Sequence, residues 1–452
     1  MTTIRISLWS LLAGLTVLWF SQSAAYPESF SVFPIRTALT SYTGILAMGA
    51  MSVAMILATR SKWFEGWLNG MDKSYRLHKW LGITALSVSV SHWLIVTLPK
   101  WMVDWGVLEA PDRSRVPPGI SEQSVQSALE VIQETLLNQR GLAEFVGEYA
   151  FYIALVLMVL ALVKNFPYKR FLQTHTVLGV CYLVLVFHSI VLFPFDLWLH
   201  PLGVVMAALL VGGTVSAVLI LTRRHGQSNR TKGKITALTY QPSMKTLSVS
   251  VKVDKDWKGH DAGQFAFVSF DKEEGQHPYT IASHWNADNQ SIRLLIKELG
   301  DYTSALPHKL KEGGEVEIEG PYGNFTFGDS KSRQIWVSAG VGITPFMARM
   351  KQLAVTGSSQ IIDLFHVTSA ITPEMEEELR ADAKAANIDL HLIIDSNGTG
   401  FSAEKLKHLV PEWKQGSLWF CGPHQMGRTL KTHLTEGGLR ADSFHQELFE
   451  MR

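Results

Sequence analysis

Cysteine is nearly absent from this chain, with two in 452 residues. That excludes a disulfide scaffold and a thiolate-ligated zinc or iron–sulfur centre, each of which needs more sulfur. Excess charge of either sign is also missing. Lys and Arg number 41 against 40 Asp and Glu, a formal net charge of +1. A nucleic-acid partner would find no surplus of cations to neutralise its phosphates. Charge is scarcest at the front, where residues 1–222 carry only 26 of the 81 charged side chains. An apolar half is therefore joined to an ordinary charged half, and the length allows two or three domains.

Six stretches have the length and apolarity of bilayer-crossing helices, which take about 20 residues. They lie near 6–25, 37–59, 80–98, 149–163, 176–193 and 201–222, and the fourth and fifth are short enough that their ends should run into flanking sequence. The connections set the orientation. Arg60, Lys62, Lys73, Arg76 and Lys79 follow the second span, Lys164, Lys169 and Arg170 the fourth, and Arg223, Arg224, Arg230, Lys232 and Lys234 the sixth. The alternate connections hold few cations, so the amino terminus and the charged half are expected in the cytosol. The first span also reads as a secretory signal, with Arg5, an apolar run and Ser23-Ala24-Ala25; either reading leaves the charged half inside. In the long 99–147 connection, Val125, Leu129, Ile132 and Leu136 recur at helical spacing. They suggest an amphipathic helix on the outer surface, the alternative being an unstructured loop.

Five histidines precede residue 223: His78, His92, His175, His188 and His200. His78 and His92 are 14 apart on the third span, and His175 and His188 are 13 apart on the fifth. Separations near four turns would place each pair on one helix face, about 20 Å apart along the axis. Both spans run outward, so His78 would share an inner level with His175, and His92 an outer level with His188. Facing imidazoles at two depths suit two bis-histidine haems, and polar groups within a membrane by default mark function. His200 has no such partner and is read as structural.

From about residue 232 short alternating strands begin, at Thr246–Val253, Gln264–Phe270, Ser291–Lys297 and Glu315–Glu319, a pattern that predicts an antiparallel barrel. His277-Pro278-Tyr279-Thr280-Ile281-Ala282-Ser283 offers a ring and a hydroxyl on a proline-stiffened strand, fit to stack on and hydrogen-bond a flat heterocycle. Lys297-Glu298-Leu299-Gly300-Asp301-Tyr302-Thr303-Ser304 ends a strand and opens a helix, whose amides suit a diphosphate. An α/β unit follows. The strand Gln334–Ala339 leads through Gly340-Val341-Gly342-Ile343-Thr344-Pro345-Phe346 into a helix, the turn that seats a pyrophosphate, though without the third glycine of the dinucleotide fingerprint. Strands at Ile361–Val367, Asp389–Ile394 and Leu418–Cys421 alternate with helices near 373–386 and 425–436, which predicts a parallel sheet. Cys421, before Gly422-Pro423 at a strand's carboxyl end, faces a reacting ring or is a small buried apolar residue.

Taken in order, the His-x13-His and His-x12-His spans, His-Pro-Tyr-Thr-Ile-Ala-Ser, Gly-Val-Gly-Ile-Thr-Pro-Phe and Cys-Gly-Pro resemble the NADPH oxidase/ferric reductase superfamily from about residue 40 onward. The resemblance implies a six-helix transmembrane haem-binding bundle (1–225), an antiparallel FAD-binding β-barrel (226–330) and an α/β nicotinamide-binding domain with a parallel sheet (331–452). It implies two haems b, one held by His78 and His175 and one by His92 and His188. His277, Pro278, Tyr279, Thr280 and Ser283 would hold FAD with Gly300 and Thr303. Gly340, Gly342, Thr344 and Pro345 would hold the phosphates of NADPH or NADH, with Cys421 and Gly422 at its ring. Gly320-Pro321-Tyr322-Gly323 matches the family's bridge between the two nucleotide sites, so Gly320 and Gly323 join the cofactor-binding set. Thr280 and Cys421 are the implied catalytic residues.

The chain departs from the family in three places. The last aromatic, Phe449, which would cover the flavin, is followed by Glu450, Met451 and Arg452. The strand end Val367-Thr368-Ser369-Ala370 has no arginine for a 2′-phosphate. The outer loop has no cysteine.

The expected activity is transmembrane electron transfer from cytosolic NAD(P)H to an extracytoplasmic acceptor, either ferric complexes or oxygen, with a membrane redox partner or quinone as a further alternative. A transporter carrying a degenerate reductase tail is the non-redox alternative. The oligomeric state is not legible, and no calcium-binding loop is present to gate the chain.

Overall fold

The structure is a computed structural model and describes residues 2–27, 29–68, 70–110, 128–163, 166, 168–271, 274–395 and 400–447. The chain forms two compact units, one of Met1–Phe64 with Lys73–His225 and one of Glu65–Asp72 with Gly226–Arg452.

The first unit is helical: α1 (Thr2–Phe20), α2 (Val32–Ala58), a short α3 (Lys62–Leu68) at its margin, α4 (Met71–Asp104), α5 (Ala128–Asn138), α6 (Arg140–Leu162), α7 (Tyr168–Leu192) and α8 (Pro201–Leu221). Among the described residues, six of these (α1, α2, α4, α6, α7 and α8) are long and apolar enough to span a membrane. Helix α4 begins nine residues before the expected 80 because the polar turn through Asp72, Lys73, Arg76 and Lys79 contains no helix breaker. Hydropathy marks the apolar thickness, whereas the helix runs on through polar residues of good propensity. Helices α6 and α7 likewise start well ahead of 149 and 176.

Leu15 and Trp19 of α1, Ile45 and Met48 of α2, Tyr182 and Val186 of α7, and Leu202 and Met206 of α8 make one buried cluster. Within this packed group the Tyr182 hydroxyl lies 2.8 Å from Ser52 Oγ, both buried. Gly213 of α8 leaves room for that hydroxyl, which a Cβ there would strike. Small residues and buried hydroxyl pairs are how helices associate where lipid removes the hydrophobic drive. Helix α4 is different, with only 11% of its apolar window buried against 50% for α2. The expected amphipathic helix is α5, with Leu129 and Ile132 exposed; Val125 lies outside the described residues.

The second unit carries two sheets. Strands β1 (Arg230–Gln241), β2 (Thr246–Val253), β3 (Phe265–Ser269), β4 (His277–Thr280), β5 (Ser291–Lys297) and β6 (Glu315–Tyr322) form an antiparallel sheet in the order β4-β3-β6-β1-β2-β5. A bridge from Ile281 to Leu294 ties the two edges together, and full closure is what removes exposed strand edges. Val249, Val251, Ile292, Leu294 and Ile318 fill the interior at zero exposure, the inward half of a period-two pattern. Helix α9 (Asp301–Lys309) lies between β5 and β6.

The second sheet comprises β7 (Arg333–Ala339), β8 (Ile361–Thr368), β9 (Asp389–Ile394), β10 (Ser417–Cys421) and β11 (Phe444–Gln446), all parallel, in the order β11-β10-β7-β8-β9. Helices α10 (Thr344–Thr356), α11 (Pro373–Ala385), α12 (Ala403–Leu409) and α13 (His424–Glu436) alternate with these strands. Thr372 caps α11 with its side chain on the Met375 amide, and Pro373 takes the first position, where its missing N–H costs nothing. Arg293 of β5 reaches Glu378 of α11 at 2.5 Å, and Lys351 of α10 binds Glu378 and Asp382 at 3.0 and 2.6 Å. This network pins the barrel to the parallel sheet.

His260 and His366 are deeply buried, and burial holds each down to about 4 from the usual 6.5. Unfolding therefore takes up protons between pH 6.5 and 4, and stability is complete above 6.5 and falls as the pH drops through that window. Each histidine adds roughly 1.4 kcal/mol per pH unit to the slope. Thermal unfolding of the protein from pH 7 to 4.5 should show the decline, and His366→Gln should make it shallower. A slope unchanged by that substitution contradicts the assignment.

Candidate functional site

In the membrane unit the structure brings His78 of α4 and His175 of α7 together edge to face, with ring centroids 5.8 Å apart and planes inclined by 63°. Metal–nitrogen bonds of ~2 Å on either side of one ion would put two imidazole centroids about 6 Å apart. The observed separation matches. His78 Nδ1 lies 2.9 Å from the Ala54 carbonyl of α2. A carbonyl can only accept, so Nδ1 carries the hydrogen and Nε2 keeps the lone pair a metal needs. His175 stacks on Phe171 at 5.0 Å, and its Nδ1 is buried without a hydrogen-bond partner.

The outer histidines are held the same way. His92 Nδ1 donates to the Thr40 carbonyl at 3.1 Å and is 3.0 Å from Thr43 Oγ1, both on α2. His188 Nδ1 donates to the Ala143 carbonyl of α6 at 2.8 Å. His92 lies within charge–charge range of His188. Gly147 of α6 faces the His188 ring so closely that an added Cβ would overlap it. Thirteen residues fall roughly 140° short of four turns, so the one-face expectation suits the spacing on α4 and fails for α7. His175 meets α4, while His188 is anchored on α6. Among the described residues no group of three or more His, Cys, Asp or Glu is placed to hold a metal ion, so the paired imidazoles are the metal-binding candidates. The donor chemistry, the ring separation of the inner pair and the engaged Nδ1 atoms of His78, His92 and His188 fit a haem.

In the second unit, β4 carries His277, Pro278, Tyr279 and Thr280, the last two buried. His277 stacks on Tyr302 of α9 at 4.4 Å and 19°. Burial holds the His277 imidazole down to about 4 and pushes the Tyr302 phenol up to about 12, so both rings are neutral at ordinary pH. Ser283 Oγ accepts from the Arg293 amide at 3.0 Å, and His260 Nε2 donates to the Ser283 carbonyl at 2.9 Å. Gly300 caps α9, and the Thr303 hydroxyl takes the Leu299 and Gly300 amides at 2.9 and 3.2 Å. The diphosphate expectation therefore shifts to the amides of Asp301 and Tyr302, which have no acceptor within the helix.

At the carboxyl edge of the parallel sheet, Gly340 takes φ +55°, a left-handed turn that favours glycine. A Cβ on Gly342 would overlap the Cys421 carbonyl, and one on Gly422 would press on Ala339. The two glycine turns thus interlock above β7 and β10. Thr344 and Pro345 are buried and open α10, the Thr344 hydroxyl donating to the Val341 carbonyl at 3.1 Å. Lys297 Nζ stands 3.5 Å from the Cβ position of Gly340, a cation at the turn that sequence reading missed.

Gly320, within β6, and Gly323, just beyond its end, are both buried. Gln264 joins the barrel to this bridge: its carbonyl accepts from the Ile281 amide at 3.0 Å, and its side chain donates to the Gly323 carbonyl at 3.3 Å. Glu447 Oε1 lies 3.2 Å from the Cβ position of Gly323. Burial, with Glu447 nearby, raises the Cys421 thiol. Burial, with Asp72 and Glu65, raises the Glu447 carboxyl well above the carboxylate range. Glu447 was not legible in sequence, because the three-residue strand β11 before it is too short to show a period. Phe449 lies outside the described residues.

Residues 43–186 match the family described as ferric reductase like transmembrane component, and residues 230–326 match an FAD-binding domain. The glycine betaine monooxygenase reductase subunit of Pseudomonas aeruginosa is 29% identical over 206 residues, which are 41% of this chain and 55% of that protein. The chain thus spans about half the length of that curated relative. Ferric reduction oxidase 4 of Arabidopsis thaliana is 37% identical over 81 residues, 17% of this chain and 12% of that one. Among solved structures, a flavohemoglobin from Malassezia yamatoensis with bound FAD and heme aligns at TM-score 0.45 and 17% identity, covering 71% of this chain and 96% of its own. The chain thus joins a ferric reductase like transmembrane component to an FAD-binding domain, the build of a membrane-bound flavoprotein, and over 81 residues it resembles a ferric reduction oxidase.

Proposed function

We propose that the chain carries electrons from cytosolic NAD(P)H through FAD and two haems b to a ferric complex on the far side of the cell membrane. The amino terminus and the nucleotide-binding domains face the cytosol in this reading. Its domains are 1–225 for haem, 226–330 for FAD and 331–452 for nicotinamide. The observation that carries it is the His78–His175 pair, 5.8 Å apart, with the His78 Nδ1–H already spent on a backbone carbonyl.

When bound, the nicotinamide supplies a hydride, the flavin divides the electron pair and haem iron takes electrons singly. The chain's own residues position these groups. His78 with His175, and His92 with His188, would hold the haems through their Nε2 lone pairs. His277 and Tyr279 offer neutral rings, Pro278 stiffens their strand, and Thr280 and Ser283 offer hydroxyls to the flavin, with Gly300 and Thr303 shaping the turn beside its diphosphate. Gly320 and Gly323 let the backbone pass between the two nucleotides. Gly340, Gly342, Thr344 and Pro345 build the pyrophosphate turn, with Lys297 as its cation, and Phe449 is assigned to the flavin face. Cys421 and Gly422 border the nicotinamide ring. Burial raises both the Cys421 thiol and the Glu447 carboxyl, which favours the neutral form of each, so Cys421 packs as a small wall and Glu447 is the acid beside the bridge.

Two tests follow. His92→Leu should remove about half of the haem absorbance and abolish acceptor reduction, while stopped-flow reduction of the flavin by NAD(P)H continues unchanged. Gly147→Ala, which drives a methyl into the His188 ring, should lower outer haem occupancy in the same way. Slow flavin reduction in a folded His92→Leu protein would contradict the order of carriers. The acceptor is decided in sealed vesicles, where ferric-chelate reduction should persist with superoxide dismutase present. Cytochrome c reduction that dismutase abolishes, without ferric reduction, would instead make the protein an oxygen reductase.

A further inference from the structure

The parallel sheet brings three strand ends into register at its carboxyl edge. Ala339 of β7 pairs with Val367 of β8, and Val367 with Ile393 of β9. The residues that follow form a row. Gly340 opens the pyrophosphate turn, Thr368 stands one strand away, and Asp395 stands two strands away, about 10 Å from that turn. Hydrogen bonds hold the row together. The Asp395 amide donates to the Thr368 carbonyl at 2.8 Å, and the buried Thr368 hydroxyl donates to the Ala370 carbonyl at 2.7 Å. The Asp395 carboxylate accepts from the Gly400 amide, which fixes it at the strand end. Ser369 is exposed at the tip of the turn.

In a strand–glycine turn–helix–strand unit, the end of the second strand reads the adenosine ribose: an acid there takes the ribose hydroxyl of NADH, and an arginine takes the 2′-phosphate of NADPH. Here that place is Thr368, 26 residues after Gly342, with Asp395 beside it from the next strand. Neither 361–379 nor 389–404 contains a lysine or an arginine. The rival source of phosphate affinity is the positive end of α11. That end is already engaged. Pro373 has no N–H, the Thr372 side chain takes the Met375 amide, and the Thr372 carbonyl takes the Glu376 amide. Glu374 and Glu376 add two carboxylates to the first turn. Lys297, the cation beside Gly340, stands at the pyrophosphate turn, which serves both nucleotides alike.

We propose that Thr368, Ser369 and Asp395 form the adenosine-ribose subsite, and that the Asp395 carboxylate selects NADH by accepting from a ribose hydroxyl and repelling a 2′-phosphate. The proposal rests on the electron-transfer reading above and names which nicotinamide nucleotide feeds it. A phosphate monoester carries about two negative charges at neutral pH. At this place it meets a carboxylate, with no lysine or arginine in either strand-end segment to offset it. Discrimination thus comes from a repulsive element as well as an attractive one.

The test uses the full-length protein with FAD bound, in lipid nanodiscs. Calorimetry compares 5′-AMP with 2′,5′-ADP, which differ only in the 2′-phosphate, and anaerobic stopped-flow compares flavin reduction by NADH and NADPH. Wild type should bind 5′-AMP about tenfold or more tightly than 2′,5′-ADP, and KM for NADPH should exceed that for NADH by a similar factor. Ser369→Arg should tighten 2′,5′-ADP about tenfold, the worth of one charge-assisted contact, and leave 5′-AMP within about twofold. Asp395→Asn should narrow the ratio of the two affinities. Wild type binding 2′,5′-ADP as tightly as 5′-AMP overturns the proposal, and so does a wild-type ratio in Ser369→Arg or in folded Asp395→Asn. Should Asp395→Asn not fold, Ser369→Arg, at an exposed position, decides alone. Should NADH reduce the flavin while no electron reaches haem, the electron-transfer reading fails separately. The nucleotide comparison then still decides the subsite: preference for 5′-AMP sustains it, and no preference ends it.

Discussion

A histidine within a bilayer presents a metal-binding lone pair at least cost when its other nitrogen is satisfied, because an unpaired N–H in hydrocarbon is costly to keep; His78, His92 and His188 meet this condition, whereas His175 Nδ1 is buried without a partner. This constraint organises the membrane unit. Helix α2 supplies the Ala54 and Thr40 carbonyls to the two α4 histidines, and α6 supplies Ala143 to His188. A helical carbonyl already accepts one bond within its helix, and its second lone pair is what each imidazole takes. The tight packing of α1, α2, α7 and α8, with Gly213 and the Ser52–Tyr182 pair at its centre, fixes the frame in which these carbonyls sit.

The second unit solves a different problem, the close approach of backbone to phosphates and rings. Strand β4 sits at one edge of the barrel order and is tied to β5 at the other through Ile281, which places Thr280 and Ser283 at the closure point. The glycine turns after β7 and β10 interlock, and they do so at the carboxyl edge of the parallel strands, where open α/β sheets bind ligands. Gln264 and Gly323 connect the two regions by hydrogen bonds. The Arg293–Glu378–Lys351 network then holds barrel and sheet in one arrangement.

Much of this was readable before the coordinates. The apolar runs gave six spans, and the period-two runs gave β2 and β5 with their observed bounds. The histidine spacing gave the inner pair. What escaped reading shares a physical cause. Strand β1 was not singled out because Gly233 and three nearby cations interrupt its alternation, although Thr231, Gly233 and Ile235 point inward. Helix α12 and strand β11, at seven and three residues, are too short for a period. The carbonyls that orient His78, His92 and His188 belong to backbone and leave no mark on side-chain identity. Gly147 did leave one, a glycine in an apolar helix, which signals close approach without saying of what.

The account stands on two imidazole pairs gripping iron. Its most direct test is a pyridine haemochrome titration of the purified protein together with its dithionite-reduced low-temperature spectrum. The account predicts two b-type haems per chain with the low-spin signature of bis-imidazole ligation. A chain that folds and binds FAD yet holds no haem, or holds a single high-spin haem, contradicts it.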